Sequence, residues 1–330
     1  MLPSWTSSGG TNVPEAPEDV VRLAEERAAA RASKDFAAAD TLRDRIADAG
    51  WTVVDEPGGY RLERQREEAE PYVRRRASDV ASVLEDQPDM DVSVQWVCEG
   101  WPEDIERAIA GFRANEGSRS VQYVIADVTD REPSAWGDDV EVVWLEEGTG
   151  WGAARNAGLK RTRGNTVLMM DGSVEPTGDV FGPIDSALTD TEVGVCGPFG
   201  IVTHDLRQFD EARGGDVDAI EGYLMALRRE TLIAAGLFDE KFRWYRTADI
   251  EYSFRVRDLH RRATVVDLPV TKHEHRMWFH TKPDDRARWS KKNFYRFLDR
   301  FRDRWDLLVD PLPEDERPHH HDHDHDEERR

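Results

Sequence analysis

Only two cysteines, Cys98 and Cys196, occur in 330 residues, and both sit inside apolar, strand-like runs. So small a supply excludes a disulfide-stapled scaffold and fits buried thiols in a reducing compartment. No apolar run reaches the roughly 18 residues that a membrane-spanning helix needs. The opening stretch MLPSWTSSGGTNVPEAPED has neither a basic start nor an apolar centre, so no secretory signal is expected. Positive charge is the third shortage: 45 Lys and Arg face 67 Asp and Glu, for a formal net charge of −22. A surface that acidic excludes non-specific nucleic-acid binding over the whole molecule, leaves room for a local basic patch, and favours a self-repelling protein. A cytoplasmic location is the expectation that follows by default.

What is present divides along the chain. Residues 1–16 are rich in Ser, Gly and Pro and are expected to be disordered. Residues 17–65 read as a small module. Val21, Leu23, Ala24 and Ala28 mark the apolar side of one helix, and Phe36, Ala39, Leu42 and Ile46 that of a second. Gly50 stands where a helix-ending glycine belongs, and WTVVDEPGGYRL predicts two short strands around a turn. Residues 66–90 are charged and poor in apolar side chains, and are expected to form a partly helical linker. From 91 to 310, short β-branched runs (VSVQWVC, VQYVIADV, VEVVWLE, NTVLMMD, VGVCG) alternate with helical patterns such as PEDIERAIAGFRAN and WGAARNAGLKRTRG. That alternation predicts an α/β fold with a mostly parallel sheet covered by helices on both faces. RWSKKNFYRFLDRFRDRW closes it as an amphipathic helix, and residues 311–330, rich in His and Asp, are expected to be disordered.

Three acids mark where chemistry would sit. Asp171 follows the apolar run TVLMM and precedes Gly172 and Ser173; Asp127 ends VIAD in the same manner. A strand-end acid is a solvated turn residue in one reading, and in the other a metal or phosphate ligand at the carboxyl edge of a parallel sheet. Between the two lies GTGWGAARNAG, whose glycines permit close backbone approach to a ligand; no Gly-Lys-Ser/Thr follows, so it is not a Walker loop. Farther on, TADIEYSFR offers Asp249, Glu251 and Arg255, and TKHEH places His273 and His275 two residues apart. On a strand both imidazoles would face one side, toward one metal or phosphate, or else into solvent.

These segments, in this order, resemble family 2 glycosyltransferases, the inverting class with the GT-A, Rossmann-like nucleotide-sugar fold. VSVQWVCEGWPEDIERAIAGF resembles the first strand and helix, VIADVTD the acid that recognises the base, and GTGWGAARNAGLKRTRGNTVLMMDGSVEP the segment leading into Asp-x-Asp. EGYLMALRRETLIAAGLFDEKF resembles the acceptor-side segment, and TADIEYSFRVRD the motif that supplies the base. The resemblance implies a donor site of Cys98, Glu99, Asp127, Gly152, Arg155, Asn156 and Asp171. It implies Mg²⁺ or Mn²⁺ held by Asp171, Ser173 and His275, with His273 not separated from His275. It further implies Asp249 as the catalytic base, and Trp244, Tyr245, Arg246 and Glu251 on the acceptor side. Three departures stand out: Ser173 replaces the second aspartate, Ala248 the acid before the base, and Cys98-Glu99 the usual Pro-x-Tyr/Phe-Asn.

EERAAARASKDFAAADTLRDRIADAGWTVVDEPGGYRL, in turn, resembles the carboxy-terminal region of cysteinyl-tRNA synthetases, without His-Ile-Gly-His-like or Lys-Met-Ser-Lys-Ser-like motifs. That implies a docking module, with RNA contact the less favoured use in so acidic a chain. In the closing helix Phe294, Phe297, Phe301, Trp305 and Leu308 form a stripe. Such a stripe more often packs on its own domain than on the inner face of a membrane. The expected partners are a nucleoside diphosphate sugar and a glycan or lipid-linked hydroxyl acceptor. The rivals are a non-catalytic binder on the same scaffold and an RNA-associated protein acting through the module.

Overall fold

The computed structural model describes residues 16–49, 51–56, 59–64, 73–129 and 136–317. The expectations for residues 1–15, for Gly50, for residue 65 of the module, for 66–72 of the linker and for the His/Asp-rich stretch 318–330 lie outside the described residues. The chain divides into two compact units, Met1–Val73 and Arg74–Arg330.

In the first unit, α1 (Glu18–Ala32) and α2 (Phe36–Asp48) are joined by a corner in which Lys34 takes a φ of 63°. The Asp35 side chain caps α2 by accepting from Ala38 N at 3.1 Å. Strands β1 (Trp51–Glu56) and β2 (Gly59–Arg64) pair antiparallel, from Trp51 opposite Arg64 to Glu56 opposite Gly59. Val20, Leu23, Ala24, Ile46, Trp51 and Val53 form the core. The apolar face of α1 is therefore Val20, Leu23, Ala24 and Arg27, and the expected Ala28 is exposed. Arg27 occupies its place because the guanidinium reaches Asp55 Oδ1 and Oδ2 at 2.7 and 3.1 Å, which lets the aliphatic stem be buried. Phe36, expected on the core face of α2, is 61% exposed at the first turn.

The second unit holds an eight-stranded sheet. Its strands and their neighbours are β3 (Met90–Cys98), β4 (Val121–Asp127), β5 (Val140–Trp144), β6 (Gly164–Met170), β7 (Val174–Pro176), β8 (Val193–Gly197), β9 (Gly200–Val202), β10 (Asp210–Ala212), β11 (Gly215–Val217), β12 (Ala219–Ile220), β13 (Leu224–Arg228), β14 (Arg262–Val265) and β15 (Val270–Lys272). The sheet order is β11-β14-β8-β13-β6-β3-β4-β5; β9, β10 and β12 form a small sheet, and β15 pairs with β7. Strands β5, β4, β3 and β6 run parallel, β13 lies antiparallel between β6 and β8, and β14 is parallel to β8. Six of the eight strands thus share one direction, and β13 and β11 oppose it. The near-continuous burial of β3, β4 and β6 is what a sheet covered on both faces requires.

Helices α3 (Pro102–Arg113) and α5 (Phe181–Thr189) pack Ile105, Ile109, Phe112, Phe181 and Ile184 on one face. Helices α4 (Trp151–Leu159), α6 (Arg229–Ala235) and α7 (Ala248–Asp258) cover the other. After the short α8 (Arg276–His280), the long α9 (Pro283–Phe301) lays Phe297, Leu298 and Phe301 against Ile250 and Phe254 of α7. The aromatic stripe of the closing helix therefore faces its own domain, and the membrane-surface use that would have rested on it loses its apolar face. Among the described residues no helix is long and apolar enough to cross a membrane.

Residues 74–90, expected as linker, are part of the second unit. Arg75 bridges to Leu145, and Val80 and Leu84 are buried in its cores. Two well-placed apolar side chains anchored by strand-edge hydrogen bonds outweigh a charged composition.

Candidate active site

The carboxyl ends of β3, β4 and β6 lie side by side: Cys98 is in register with Asp127, and Trp96 with Met170, the residue before Asp171. Asp171 is anchored through its N–H to Tyr223 O on the segment entering β13, at 3.0 Å. Its Oδ1 accepts from Ser173 N at 2.8 Å and from the Ser173 hydroxyl at 2.5 Å. Its Oδ2 lies 3.0 Å from His275 Nε2. His275 caps α8, with Nδ1 accepting from Trp278 N at 3.2 Å, so the ring proton sits on Nε2 and is donated to Asp171. Burial alone would raise the Asp171 carboxyl; the His275 hydrogen bond and charge, with the two Ser173 donors, hold it below the usual aspartate value. Burial likewise disfavours protonated His275, but Asp171 and then Glu99 raise its pKa above the usual value.

The ribbon β15–β7 carries His275 to this place, pairing Lys272 with Val174 and Val270 with Pro176. The same ribbon separates the two histidines. His273 Nε2 meets Glu175 at 2.7 Å, so the His273–His275 pair does not converge on one ligand. Glu99, one residue past β3, is pushed up to about 7 by burial, with the Asp171 charge adding to it and Arg155 and His275 opposing. Cys98, Glu99, Asp171, Ser173 and His275 line a cavity of about 40 Å³, the room of one water or one ion.

Asp249, in the first turn of α7, accepts from Gly222 N at 2.8 Å through Oδ2 and from Ile250 N at 2.9 Å through Oδ1. Burial raises its pKa above the usual aspartate value, against the two backbone donors and the charge of Arg246. Gly222 eases this approach, since a Cβ there would stand 3.2 Å from Asp249 Cβ, a tight contact. The Gly222–Tyr223 backbone joins the two acids, Gly222 N donating to Asp249 and Tyr223 O accepting from Asp171 N; the Tyr223 and Tyr245 phenols are raised by burial and feel both charges, with Tyr223 pushed up to about 12. Their rings lie 5.7 and 4.5 Å from His275.

The other candidate residues are placed as follows. Asp127 turns its Oδ1 onto Thr129, accepting from N at 2.8 Å and from Oγ1 at 2.7 Å, and it does not line the Asp171 cavity. Gly152 meets protein rather than a ligand, because an added Cβ would fall 2.9 Å from Asp239 O and 3.0 Å from Phe242 O. Asn156 exchanges two hydrogen bonds with the Phe238 backbone, at 2.9 and 2.8 Å. Arg155 is buried and donates to Gln95 O, Gln95 Oε1 and Met170 O. Burial lowers its pKa to about 10, and its charge acts on Asp171 and Glu99 from behind. Glu251 is 2% exposed and held by Arg255 and Arg300 at 3.1 and 2.8 Å, which makes it a structural anchor rather than an acceptor contact. Trp244 is buried, Tyr245 half-buried and Arg246 exposed. Asn293 of α9, fully buried, donates to Trp244 O and Arg246 O at 2.9 and 2.8 Å and holds that loop, in which Thr247 adopts a φ of 70°.

Sequence reasoning passed over Gly222, Tyr223 and Asn293. Gly222 alone gave a signal, a glycine just before an apolar run.

Similarities to known proteins fall on the same division. Residues 117–252 match the model of Glycosyl transferase family 2, and residues 13–61 that of the Cysteinyl-tRNA ligase anticodon binding domain. The first match contains Asp127, Asp171, Ser173 and Asp249 and leaves out Glu99 and His275. At the amino terminus, the cysteine–tRNA ligase of Opitutus terrae is 55% identical over 49 residues, 15% of this chain and 11% of that protein. The ligase of Methanosarcina acetivorans is 43% identical over 53 residues, 16% and 11% respectively. Among solved structures, GalNAc-T7 with UDP, GalNAc and Mn²⁺ superposes with a TM-score of 0.52 at 14% identity, over 64% of this chain and 48% of that one. That likeness is one of fold, the GT-A fold. The chain thus spans about a tenth of the ligases and about half of the transferase.

Proposed function

We propose that the second unit is a nucleotide-sugar glycosyltransferase, with Asp249 as catalytic base and the Asp171 end of the cleft as the donor-diphosphate end. The carrying observation is the pair of acids, Asp171 and Asp249, linked through the Gly222–Tyr223 backbone and pushed by their surroundings in opposite directions. The match of residues 117–252 to family 2 supports it.

In the transfer step the acceptor hydroxyl gives its proton to an Asp249 oxygen, whose orientation the Gly222 and Ile250 amides hold. The freed oxygen forms a bond to the anomeric carbon, while the bond from that carbon to the diphosphate oxygen breaks. The electron pair leaves on the nucleoside diphosphate. Attack from the face opposite the leaving group inverts the anomeric centre. Tyr223 and Tyr245, with ring centroids 5.7 and 4.5 Å from that of His275, would limit water around the reacting groups.

A divalent cation fits the Asp171 end. Asp171 offers a carboxylate oxygen beside the Ser173 hydroxyl in a cavity of one ion's size, and His275 Nε2 would join as a ligand once its proton moves to Nδ1 and the Trp278 amide contact is given up. These residues would hold Mg²⁺ or Mn²⁺ that completes its shell with phosphate oxygens and water. Bound there, the ion would offset the charge building on the departing diphosphate. Arg155 contributes fixed positive charge beneath Asp171 and Glu99.

The test is a panel of UDP- and GDP-sugars given to the full chain with Mn²⁺ or with a chelator, read by melting temperature and by release of nucleoside diphosphate. A Mn²⁺-dependent rise in melting temperature with turnover is expected. A panel that neither binds nor turns over overturns the proposal.

A further inference from the structure

Several arginines of the second unit are neutralised by carboxylates. Arg255 and Arg300 hold Glu251, Arg276 holds Glu103 and Asp104, and Arg296 holds Asp239. Arg246 and Arg286 differ. Neither forms a salt bridge with a carboxylate of the described residues, and both guanidiniums lie against one indole, that of Trp278, at 5.1 and 4.6 Å from the ring centroid. Arg286 also donates to Trp278 O at 3.2 Å. Arg246 precedes Asp249 by three residues, and its charge reaches that carboxylate, Glu221, Tyr223 and Tyr245.

The mounting is firm. Trp278 stacks on Trp244 with centroids 5.9 Å apart and planes inclined by 18°, Trp244 abuts Tyr245 at 4.7 Å, and Asn293 clamps the backbone on both sides of Tyr245. Two guanidiniums backed by an aromatic plane keep their outward N–H groups for a planar or tetrahedral anion. In a chain of net charge −22 carboxylates are abundant, yet none of the described ones closes an ion pair with either guanidinium, and Asp249 and Glu221 act on Arg246 only through longer-range charge.

We propose that Arg246 and Arg286, mounted on Trp278, form a subsite for a negatively charged group of the acceptor. The acceptor class is then a hydroxyl compound carrying a phosphate or carboxylate, not a neutral sugar. This inference rests on the transferase proposal above. The donor diphosphate offers the same chemistry from another source, but neither arginine lines the cavity of Glu99, Asp171 and His275, and the charge of Arg246 reaches Asp249.

Calorimetric titration of the full chain, saturated with Mn²⁺ and whichever of UDP or GDP raises its melting temperature, tests this with glucose, glucose 6-phosphate and glucuronate. At least one charged probe should bind ten times more tightly than glucose, and its affinity should fall with added NaCl. The double variant Arg246→Met/Arg286→Met should remove that preference, and Arg246→Lys/Arg286→Lys should restore part of it. Arg286→Gln alone serves as the readout if the double methionine variant does not fold. Equal affinity for all three probes overturns the proposal. So does a methionine variant that loses nucleotide affinity by the same factor, which would assign both arginines to the donor diphosphate. If no nucleotide binds, the transferase proposal fails instead. A charged-probe preference that disappears in the methionine variant would still support the anion subsite.

Discussion

Asp171 and Asp249 are the same residue type, yet their surroundings treat them as different reagents. Asp171 is given polar partners that favour its charge: His275, the Ser173 hydroxyl and the Ser173 amide. Asp249 has two backbone amides and a distant guanidinium, and burial prevails. One carboxylate is kept anionic, as a ligand for positive charge must be, and the other is kept basic, as a proton acceptor must be. Environments that pull two acids apart in pKa are how one fold assigns two roles. The remaining structure serves that separation, with Arg155 beneath the first acid and the Gly222 backbone beside the second.

The comparison breaks most visibly at Asp249. Asp249→Asn should lower kcat by about a thousandfold, the range lost with a general base, while nucleotide binding with Mn²⁺ stays intact. A stopped assay for nucleoside diphosphate alongside a thermal shift separates the two; a variant that retains turnover would remove Asp249 from the mechanism. The acid limb of kcat/KM should lie above the ordinary aspartate value, because the base must be ionised and burial raises its pKa. For stability the sign is opposite to that of a salt-bridged acid. Folded Asp249 keeps its proton in a pH range where the unfolded chain has lost it. Its contribution therefore favours the native state at low pH and declines as pH rises through the folded value. Melting temperatures of Asp249→Asn relative to wild type should accordingly improve from acid toward neutral pH.

At the other acid the loss is expected in binding. Asp171→Asn should weaken Mn²⁺-dependent nucleotide affinity by about ten- to a hundredfold, the range found when a metal site is disturbed. Titration of nucleotide at fixed Mn²⁺ measures it. An unchanged affinity would detach the cation from this end of the cleft.

How much of this could be read in the sequence follows from which interactions are local. The strand-end position of Asp171 is legible because an apolar run, an acid and a small-residue turn are consecutive. The parallel part of the sheet follows from strands alternating with helices. Strand β13 is different: it enters antiparallel between β6 and β8 from more than fifty residues beyond β6, and only that pairing brings Gly222 and Tyr223 to the two acids. No local pattern announces it. GTGWGAARNAG misleads for a physical reason as well. A glycine that permits close approach looks the same whether the approaching group is a phosphate or, as at Gly152, the chain's own carbonyls. The charged stretch 74–90 hid its anchors Val80 and Leu84 because composition averages over single buried residues.

The smallest predicted effect sharpens the comparison most. Ser173 supplies two of the three polar partners that favour ionised Asp171, one through its backbone and one through its hydroxyl. Ser173→Ala removes only the hydroxyl, and the His275 contact and the amide remain. Loss of one hydrogen bond to a charged group costs about 1.5–3 kcal/mol when it leaves a buried group unsatisfied, and less where water replaces it. The Asp171 side chain is 30% exposed, so water can take the vacant lone pair. Nucleotide affinity with Mn²⁺ should therefore fall only about threefold in Ser173→Ala. Ser173→Asp, which adds a second carboxylate beside the first, should tighten Mn²⁺ binding and raise the pKa of Asp171 by like-charge repulsion in the metal-free chain. If alanine cost as much as Asp171→Asn itself, the hydroxyl would hold the cation as strongly as the carboxylate does, and the contrast between a well-partnered and a poorly partnered acid would have to be redrawn around Ser173.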